Sequence, residues 1–182
     1  CFFADEANDP SDEITTVNLT FIPLSGGESV TATWADPEAD GSPSIDVIEL
    51  TNGETYTLTI QILNELEDPV ADITTEIRDA LDEYQFFFAG EIISGPTSSS
   101  AEAFMTHVYG DEDINNNPVG LTNTITTTGA GTGELTLMLR YMPPVNDSAT
   151  KHSDLADIAR DAGLGALPGS INVEVSFEVI VE

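Results

Sequence analysis

The sequence predicts an all-β protein, an antiparallel β-sandwich of about nine strands with two short helices in the connections. The clearest strand is the last one, residues 171–181, where the apolar residues from Ile171 onward alternate with Asn172, Glu174, Ser176 and Glu178, as is typical of a half-buried strand. Turn-forming strings, SGGE (25–28) and TNGE (51–54), separate further segments that alternate in the same way. A helical spacing of apolar residues is clear at only two places, so the helices are expected to connect strands.

The early part of the chain predicts four strands. The first covers residues 14–24, and after the turn Val30, Ala32 and Trp34 alternate, which favours a place in the core for Trp34; the alternative is a platform on which a sugar stacks. An acidic loop follows, and residues 45–50 form a short strand. The next turn leads into residues 55–63, where alternate positions are apolar.

The period becomes helical within residues 64–84. Ile73, Ile77 and Leu81 are spaced by four, and Asp72 stands where a capping residue would lie. This spacing predicts an amphipathic helix of about three turns. A second short helix is predicted within residues 153–165, with Ser153 as its cap and Gly163 past its end.

The remaining segments complete the sheet. We predict strands at residues 85–93, 103–109, 121–125 and 134–142. The best partners for the last strand are the segment TTVNLTFIPL (15–24) and the segment GELTLMLRYM (133–142). The two ends of the chain are therefore expected to meet in one sheet.

The composition predicts a single acidic domain over residues 14–182. A chain of 182 residues, 40% of them hydrophobic, can bury one sizeable core. The 33 Asp and Glu residues against 4 Lys and Arg residues give a net charge of −29, which argues against nucleic acid or anionic lipid headgroups as partners. The acidic residues are spread along the chain, which favours a solvated surface from a salty habitat; the alternative is that some of them bind cations.

Residues 1–13 predict a lipid-bearing tether. Cys1 is the only cysteine, and a first-position cysteine is the lipidated residue of bacterial lipoproteins after removal of a signal peptide. The alternative is that the first position is an arbitrary boundary and that Cys1 carries no lipid. Beyond Phe3 this stretch is acidic and offers nothing to bury, as in a flexible linker. We therefore expect attachment to membrane lipid through Cys1.

Two acidic loops have ligand spacing suited to Ca²⁺, in which oxygen-bearing side chains alternate. The ligands predicted in the first loop are Asp36, Glu38, Asp40 and Asp46. Those predicted in the second loop are Asp111, Asp113 and Asn115. Neither loop has the bidentate Glu at the twelfth position, and polar loops between strands are rich in Asp and Asn in any case, so a solvated acidic turn is the alternative.

The sequence shows no recognisable catalytic arrangement, and we expect a protein that is not an enzyme. His107 and His152 are the only histidines, one in a predicted strand and one before a predicted helix. We expect His107 to satisfy a hydrogen bond on the sheet and His152 to face solvent. Ser148, within Asp147-Ser148-Ala149, resembles the three-residue acceptor for O-linked sugar in exported proteins of Bacteroidota.

Six strings, in order, resemble a family of Bacteroidota lipoproteins that are commonly encoded beside TonB-dependent outer-membrane receptors. The strings are ITTVNLTF (14–21), LTNGETYTLTIQILNE (50–65), DITTEI (72–77), DEYQFFF (82–88), NPVGLT (117–122) and GELTLMLRYMP (133–143). Members are often labelled as having a type 1 periplasmic binding fold. That fold needs parallel strands joined by helices, whereas the hairpins and alternation here predict a sandwich.

The resemblance implies a location associated with uptake more than it implies a ligand. We expect a non-catalytic accessory or ligand-binding subunit of a TonB-dependent receptor β-barrel. Acidic residues soon after Cys1 resemble the surface-export signal of such lipoproteins, which implies the outer face of the outer membrane. The family pattern tends to carry histidine where this chain has Tyr84 and Tyr141, and tyrosine can ligate ferric iron. The alternative from the residues is a structural or adhesive cell-envelope module stiffened by calcium. The ligand and the oligomeric state are not predicted.

Overall fold

A computed structural model describes residues 14–38 and 41–182, and in this part of the chain it contains twelve strands and two α-helices. The longer strands are β1 (Thr16–Pro23), β2 (Val30–Ala35), β5 (Thr55–Asn64), β7 (Tyr84–Ala89), β9 (Met105–Tyr109), β10 (Thr122–Thr127), β11 (Gly131–Tyr141) and β12 (Ser170–Val181). The short ones are β3 (Ser44–Ile45), β4 (Ile48–Leu50), β6 (Ala71–Asp72) and β8 (Ile93–Ser94). The helices are α1 (Ile73–Asp79) and α2 (Leu155–Ala162), with 3₁₀ turns at Leu81–Glu83 and Leu164–Ala166.

The strands form two sheets, which confirms the predicted all-β sandwich. The large sheet has the order β3-β2-β1-β5-β10-β9-β8, with β6 alongside β5, and the small sheet has the order β4-β12-β11-β7. Neighbouring strands are antiparallel except at β8 with β9 and β4 with β12. These two parallel contacts are the only departures from an antiparallel arrangement among the described strands.

The main core lies between the two sheets and is built from the alternating apolar residues. Its largest fully buried side chains include Phe21, Leu58, Phe86, Phe88 and Phe177. Burying one such side chain stabilises a fold by about 1.5–3 kcal/mol, so the period-two pattern fixes which face of each strand points inward. Trp34 is only half-buried at the margin of this core.

A second, smaller core lies on the outer face of the small sheet. Phe87 and Met142 pack there against Leu155 and Ala159 of α2 and against Leu167. Because Phe87 points away from Phe86 and Phe88, the continuous apolar run of β7 serves both cores.

One pairing predicted from the sequence is wrong. β12 pairs with β11 as expected, but its other partner is β4, and β1 lies in the other sheet between β2 and β5. The chain crosses from the large sheet to the small one between β3 and β4, which places residues 48–50 beside the end of β12. An alternating strand accepts any partner of matching pattern, so alternation alone could not select the neighbour.

The helix starts and ends were predicted in part. The side chain of Asp72 accepts a hydrogen bond from Thr74 N, 3.1 Å away, which confirms it as the cap of α1. The helix is shorter than expected, because the chain leaves helical geometry at Ala80. In α2 the prediction of Ser153 as cap is wrong: the capping position is Asp154, which makes no side-chain capping bond, whereas Gly163 does follow the last turn with a φ of 94°.

Candidate functional site

The outer face of the large sheet consists almost entirely of hydroxyl and amide side chains. Residues that alternate with the buried ones along a strand point away from the core. We call this surface the threonine face, and its members are Asn18, Thr20, Thr31, Thr33, Thr55, Thr57, Thr59, Gln61, Thr106, Thr122, Thr124 and Thr126. β1, β2, β5, β9 and β10, which carry it, contain no Asp, Glu, Lys or Arg.

The threonines of this face are aligned across strands. Thr20 lies opposite Thr31 on β2 and opposite Thr59 on β5, and Thr59 in turn lies opposite Thr122 on β10. Neighbouring strands are about 4.7–4.9 Å apart, so the aligned side chains form a row with that repeat. A row of this kind crosses four strands without interruption.

Most hydroxyl groups in the centre of the face have no protein partner. Within the described part of the chain, the side chains of Thr20, Thr31, Thr59 and Thr122 make no hydrogen bond, and the same holds for Thr57 and Thr124. The neighbouring row differs: Thr33 donates to Asn18 Oδ1 at 2.7 Å, and Asn18 Nδ2 donates to Gln61 Oε1 at 3.1 Å. The central row therefore offers free donors and acceptors to solvent or to a ligand.

A shallow groove of about 180 Å³ lies at one side of the threonine face. Asn18, Thr20, Thr59 and Gln61 line it from the sheet, and the cap residue Asp72 lines it from the side together with Thr74 and Arg78 of α1. Arg78 is exposed, and in the described part of the chain it is the exposed cation without an ion pair.

The other three cations have different surroundings. Arg140 and Lys151 are buried, with 6% and 3% of their surface exposed, and Arg140 donates to the carbonyl groups of Leu164 and Gly169. Arg160 lies 3.0 Å from both Asp157 and Asp161. The solvent-facing surface is therefore even more negative than the composition suggests.

Tyr84 and Tyr141 form a cross-strand pair at the edge of the core. Tyr84 begins β7, Tyr141 ends β11, and the two residues lie directly opposite each other. Their ring centroids are 4.9 Å apart with an angle of 30° between the ring planes, and both side chains are half-buried. Tyr84 and Tyr141, 57 residues apart in the sequence, are thus adjacent in space. Sequence alone could not show this, because the register of β7 on β11 is a property of the folded sheet.

The first acidic loop is held at both ends by its own carboxylates. Gly41 N donates to Asp36 Oδ2 at 2.9 Å, and Thr33 N donates to Asp46 Oδ2 at 3.0 Å. Glu38 is exposed, and Asp40 lies outside the described residues. Among the described residues no group of three or more His, Cys, Asp or Glu side chains is close enough to hold a metal ion. Calcium in this loop stays a prediction.

In the second acidic loop, Asp113 is buried and engaged by the protein. Its Oδ1 accepts hydrogen bonds from Asn115 N at 2.8 Å and from Asn117 N at 3.0 Å, and its Oδ2 lies 2.9 Å from Lys151 Nζ. Burial raises the pKa of the Asp113 carboxyl, but the Lys151 ammonium and the two amides outweigh it, so the pKa lies below its usual range. The pKa of Lys151 is also lowered, because burial disfavours its charged form more than the nearby Asp113 carboxylate favours it.

Asp111 closes the other side of the second loop. Its carboxylate accepts hydrogen bonds from the amides of Gly120, Leu121 and Thr122 at 2.7, 3.0 and 3.2 Å. Asn115 is exposed, so the three predicted calcium ligands do not share one arrangement: two hold the backbone and one faces solvent. Calcium binding here also stays a prediction, and Lys151 is the participant that the sequence reasoning missed.

His107 is a buried, neutral residue of the core. Its Nε2 lies 2.9 Å from Asn123 Oδ1, which confirms the expected hydrogen bond on the sheet. Its ring packs between Phe88 and Tyr109, with centroid distances of 4.2 and 4.7 Å. Burial lowers its pKa to about 4. His152 is exposed, as expected.

Two further cavities and one predicted modification site lie elsewhere. A cavity of about 300 Å³ is lined by Glu91, Glu102, Phe104 and Glu134, all of them on the surface or half-buried, and one of about 540 Å³ lies beside Val108. Ser148 is exposed in a tight turn closed by hydrogen bonds with Val145, and its glycosylation stays a prediction. Cys1 lies outside the described residues.

Comparison with known proteins gives no match to a family model, to a curated protein or to a solved structure. Within residues 14–38 and 41–182, no helix has the length and apolar composition that a membrane span requires.

Proposed function

We propose that this protein is a surface-exposed lipoprotein of the outer membrane that serves as a non-catalytic, ligand-binding accessory subunit of a TonB-dependent receptor. The observation that carries the proposal is the direct pairing of Tyr84 with Tyr141. These are the two positions at which the resembled lipoproteins tend to carry histidine. Their convergence supports a shared ligand site at this place in the fold.

The tyrosine pair has chemistry suited to a small ligand. A half-buried tyrosine presents an apolar ring and a polar hydroxyl group, so it can stack on a planar molecule and also bind it through oxygen. A tyrosine oxygen is also an established axial ligand of ferric haem iron. A phenolate oxygen is a harder ligand than an imidazole nitrogen, so a pair of tyrosines suits ferric iron.

The charge of the domain fits attachment by lipid rather than by surface contact. A net charge of −29 repels anionic headgroups, so the acyl chains on Cys1 supply the attachment in this proposal. A single myristoyl-length chain binds membranes only marginally, and stable attachment takes a second signal. We therefore expect a diacylglyceryl group together with a further acyl group on Cys1.

The proposal is tested on protein isolated from native membranes in mild detergent. We expect a β-barrel receptor to co-purify in stoichiometric amount, the intact mass to show acyl chains, and Cys1→Ser to release the domain into the soluble fraction. An unmodified thiol together with the absence of a receptor overturns the proposal.

The ligand site is tested separately with ferric citrate and haemin as probes, followed by absorbance. The double variant Tyr84→Phe with Tyr141→Phe keeps both rings but removes both hydroxyl groups. Leu24→Ser is the control, since Leu24 is exposed directly after β1, which belongs to the large sheet, whereas the tyrosine pair lies on the small sheet. We expect the wild type and the control to bind at least one probe and the double variant to bind neither. Binding that the double variant retains contradicts the assigned site.

The second candidate function is a structural or adhesive envelope module stiffened by calcium. It is favoured by the first acidic loop, where Asp36 holds Gly41 within the connection between β2 and β3, and Asp46, directly after β3, holds Thr33 of β2. If calcium binds there, it should raise the melting temperature more than magnesium does at equal, high ionic strength. Asp36→Asn should abolish that difference, whereas Glu28→Gln, in an exposed turn, should leave it unchanged. Equal effects of both cations reject this function for the loop.

A further inference from the structure

We infer that the threonine face binds an uncharged polysaccharide chain. This surface is distinct from the tyrosine pair: it lies on the outer side of the large sheet, whereas Tyr84 and Tyr141 lie on the small sheet at the margin of the core. The inference does not depend on the function proposed above.

The first argument is the distribution of charge. The chain carries 33 carboxylates, yet the five strands that form the threonine face carry none, and they carry no cation either. The small sheet differs, since β11 and β12 contain Glu134, Glu174 and Glu178. A surface kept free of charge on so acidic a protein can approach a neutral partner without electrostatic repulsion and without removing water from an ion.

The second argument is the state of the hydroxyl groups. Those of Thr20, Thr31, Thr59 and Thr122 form a row with no hydrogen-bond partner in the described part of the chain. A hydroxyl group both donates and accepts, and each sugar of a polysaccharide presents the same kind of group. The methyl groups of threonine meanwhile offer small apolar contacts to the C–H faces of sugar rings. Hydrogen bonds between the two surfaces can therefore replace those that each makes with water.

The third argument is shape. The row crosses four strands on an open sheet face, and its two middle members, Thr20 and Thr59, also line the groove beside Arg78. An extended chain laid across the strands would meet equivalent hydroxyl groups at each strand, about 4.7–4.9 Å apart. Arg78, which has only donors, would bind oxygen atoms where that path passes the groove.

Other occupants fit this face less well. Its only exposed large apolar residues are Ile22 and Val108, so a second copy of the chain would bury little apolar surface, and two molecules of −29 charge repel each other. A nucleic acid or another polyanion is repelled for the same reason. A neutral, hydroxyl-rich polymer requires neither apolar area nor opposite charge.

The inference is tested by affinity electrophoresis of the purified domain in gels that contain neutral polysaccharides (β-glucan, mannan, galactan, xylan) or the carboxylated polysaccharide alginate. We expect retardation by at least one neutral polymer. The double variant Thr20→Val with Thr59→Val keeps the side-chain shape but removes two free hydroxyl groups, and it should weaken binding about tenfold or more. The control, Thr132→Val on the small sheet, removes an exposed hydroxyl group that likewise makes no hydrogen bond in the described part of the chain, and it should bind like the wild type.

Each other outcome overturns the inference. The inference is wrong if no neutral polymer retards the protein. It is also wrong if the double variant and the wild type bind equally well. Retardation by alginate alone would assign the surface to a carboxylated ligand held by Arg78. A change in sedimentation coefficient of the double variant would show that the face is a contact between copies. Circular dichroism and the melting temperature verify that all variants are folded.

Discussion

Lys151 and Asp113 form an ion pair in the interior, with Lys151 Nζ 2.9 Å from Asp113 Oδ2 and with 1% and 0% of the two side chains exposed. Lys151 Nζ also donates to the carbonyl of Leu81 at 3.0 Å. A single ammonium group therefore joins three distant parts of the chain: the loop after β9, the 3₁₀ turn before β7 and the segment that leads to α2. Removing either partner leaves the other charge buried without compensation.

The first prediction concerns this pair. Lys151→Met should lower the free energy of unfolding by about 3–5 kcal/mol, because the Asp113 carboxylate stays buried without its cation. Lys151→Met combined with Asp113→Leu should lose less than the sum of the two single variants, since no charge is then left unpaired. Urea denaturation measures all three variants. A loss below about 1 kcal/mol for Lys151→Met would show that water reaches the carboxylate.

The second prediction concerns pH and His107. Its pKa is about 4 in the folded protein, against an ordinary value of about 6.5, so between these pH values only the unfolded chain takes up the proton. The contribution of the neutral His107 side chain to the free energy of unfolding is thus fully present above pH 6.5 and decreases as the pH falls toward 4. Relative to His107→Gln, the wild type should lose about 2 kcal/mol between pH 7 and pH 5. His152→Gln is the control, and it should keep the wild-type dependence. Parallel curves for the wild type and His107→Gln would contradict a neutral, buried imidazole.

The third prediction concerns salt. Because two of the four cationic side chains are buried, almost nothing on the surface offsets the carboxylates, and their repulsion opposes the compact state. Ions screen charges over about 3 Å at 1 M salt and about 30 Å at 0.01 M, so the melting temperature should rise with sodium chloride. Potassium chloride should raise the melting temperature to the same extent as sodium chloride, because screening does not depend on the identity of the cation, whereas specific binding does. A melting temperature that does not change with salt would mean that the carboxylates already bind ions.

The fourth prediction concerns Asp111. Asp111→Ala removes the acceptor for three backbone amides at the start of β10 and should lower the free energy of unfolding by about 2 kcal/mol. Asp111→Asn keeps one oxygen and should lose less. If calcium stabilises the wild type and Asp111→Asn to the same extent, Asp111 is not a calcium ligand. An unchanged stability of Asp111→Ala would show that water replaces the carboxylate.

The strands could be predicted from the sequence because every second side chain of a strand points into the core, so apolar residues recur at every second position. The alternation of β5 and β12 placed the buried residues correctly on one face, and the Asp72 cap marked the start of α1. Ile171 is the exception, since it was expected on the apolar face of β12 but is half exposed. The neighbour of β12 could not be predicted, since β4 is only three residues long and any alternating segment would have matched as well.

The candidate sites were less predictable, because they depend on contacts between distant segments. The spacing of Asp111 and Asp113 suggested metal ligands, but the structure pairs these carboxylates with backbone amides and with Lys151, for which local spacing gives no signal. The sequence does show that β10 is rich in threonine, whereas the alignment of Thr59 with Thr122 depends on register. The same applies to Tyr84 and Tyr141.

The position of β12 between β4 and β11 sets the order in which the molecule can fold. β12 is an interior strand of the small sheet, so that sheet lacks its centre until the last described segment of the chain is in place. Val179 pairs with Ile48, which is far away in the sequence. Closing so long a loop costs conformational entropy before the contacts of the paired strands compensate for it. Folding should therefore be slow, on the order of milliseconds to seconds, as in other folds dominated by non-local strand pairing. Until then β11 has an unpaired edge, and the dense negative charge of the chain keeps such intermediates apart.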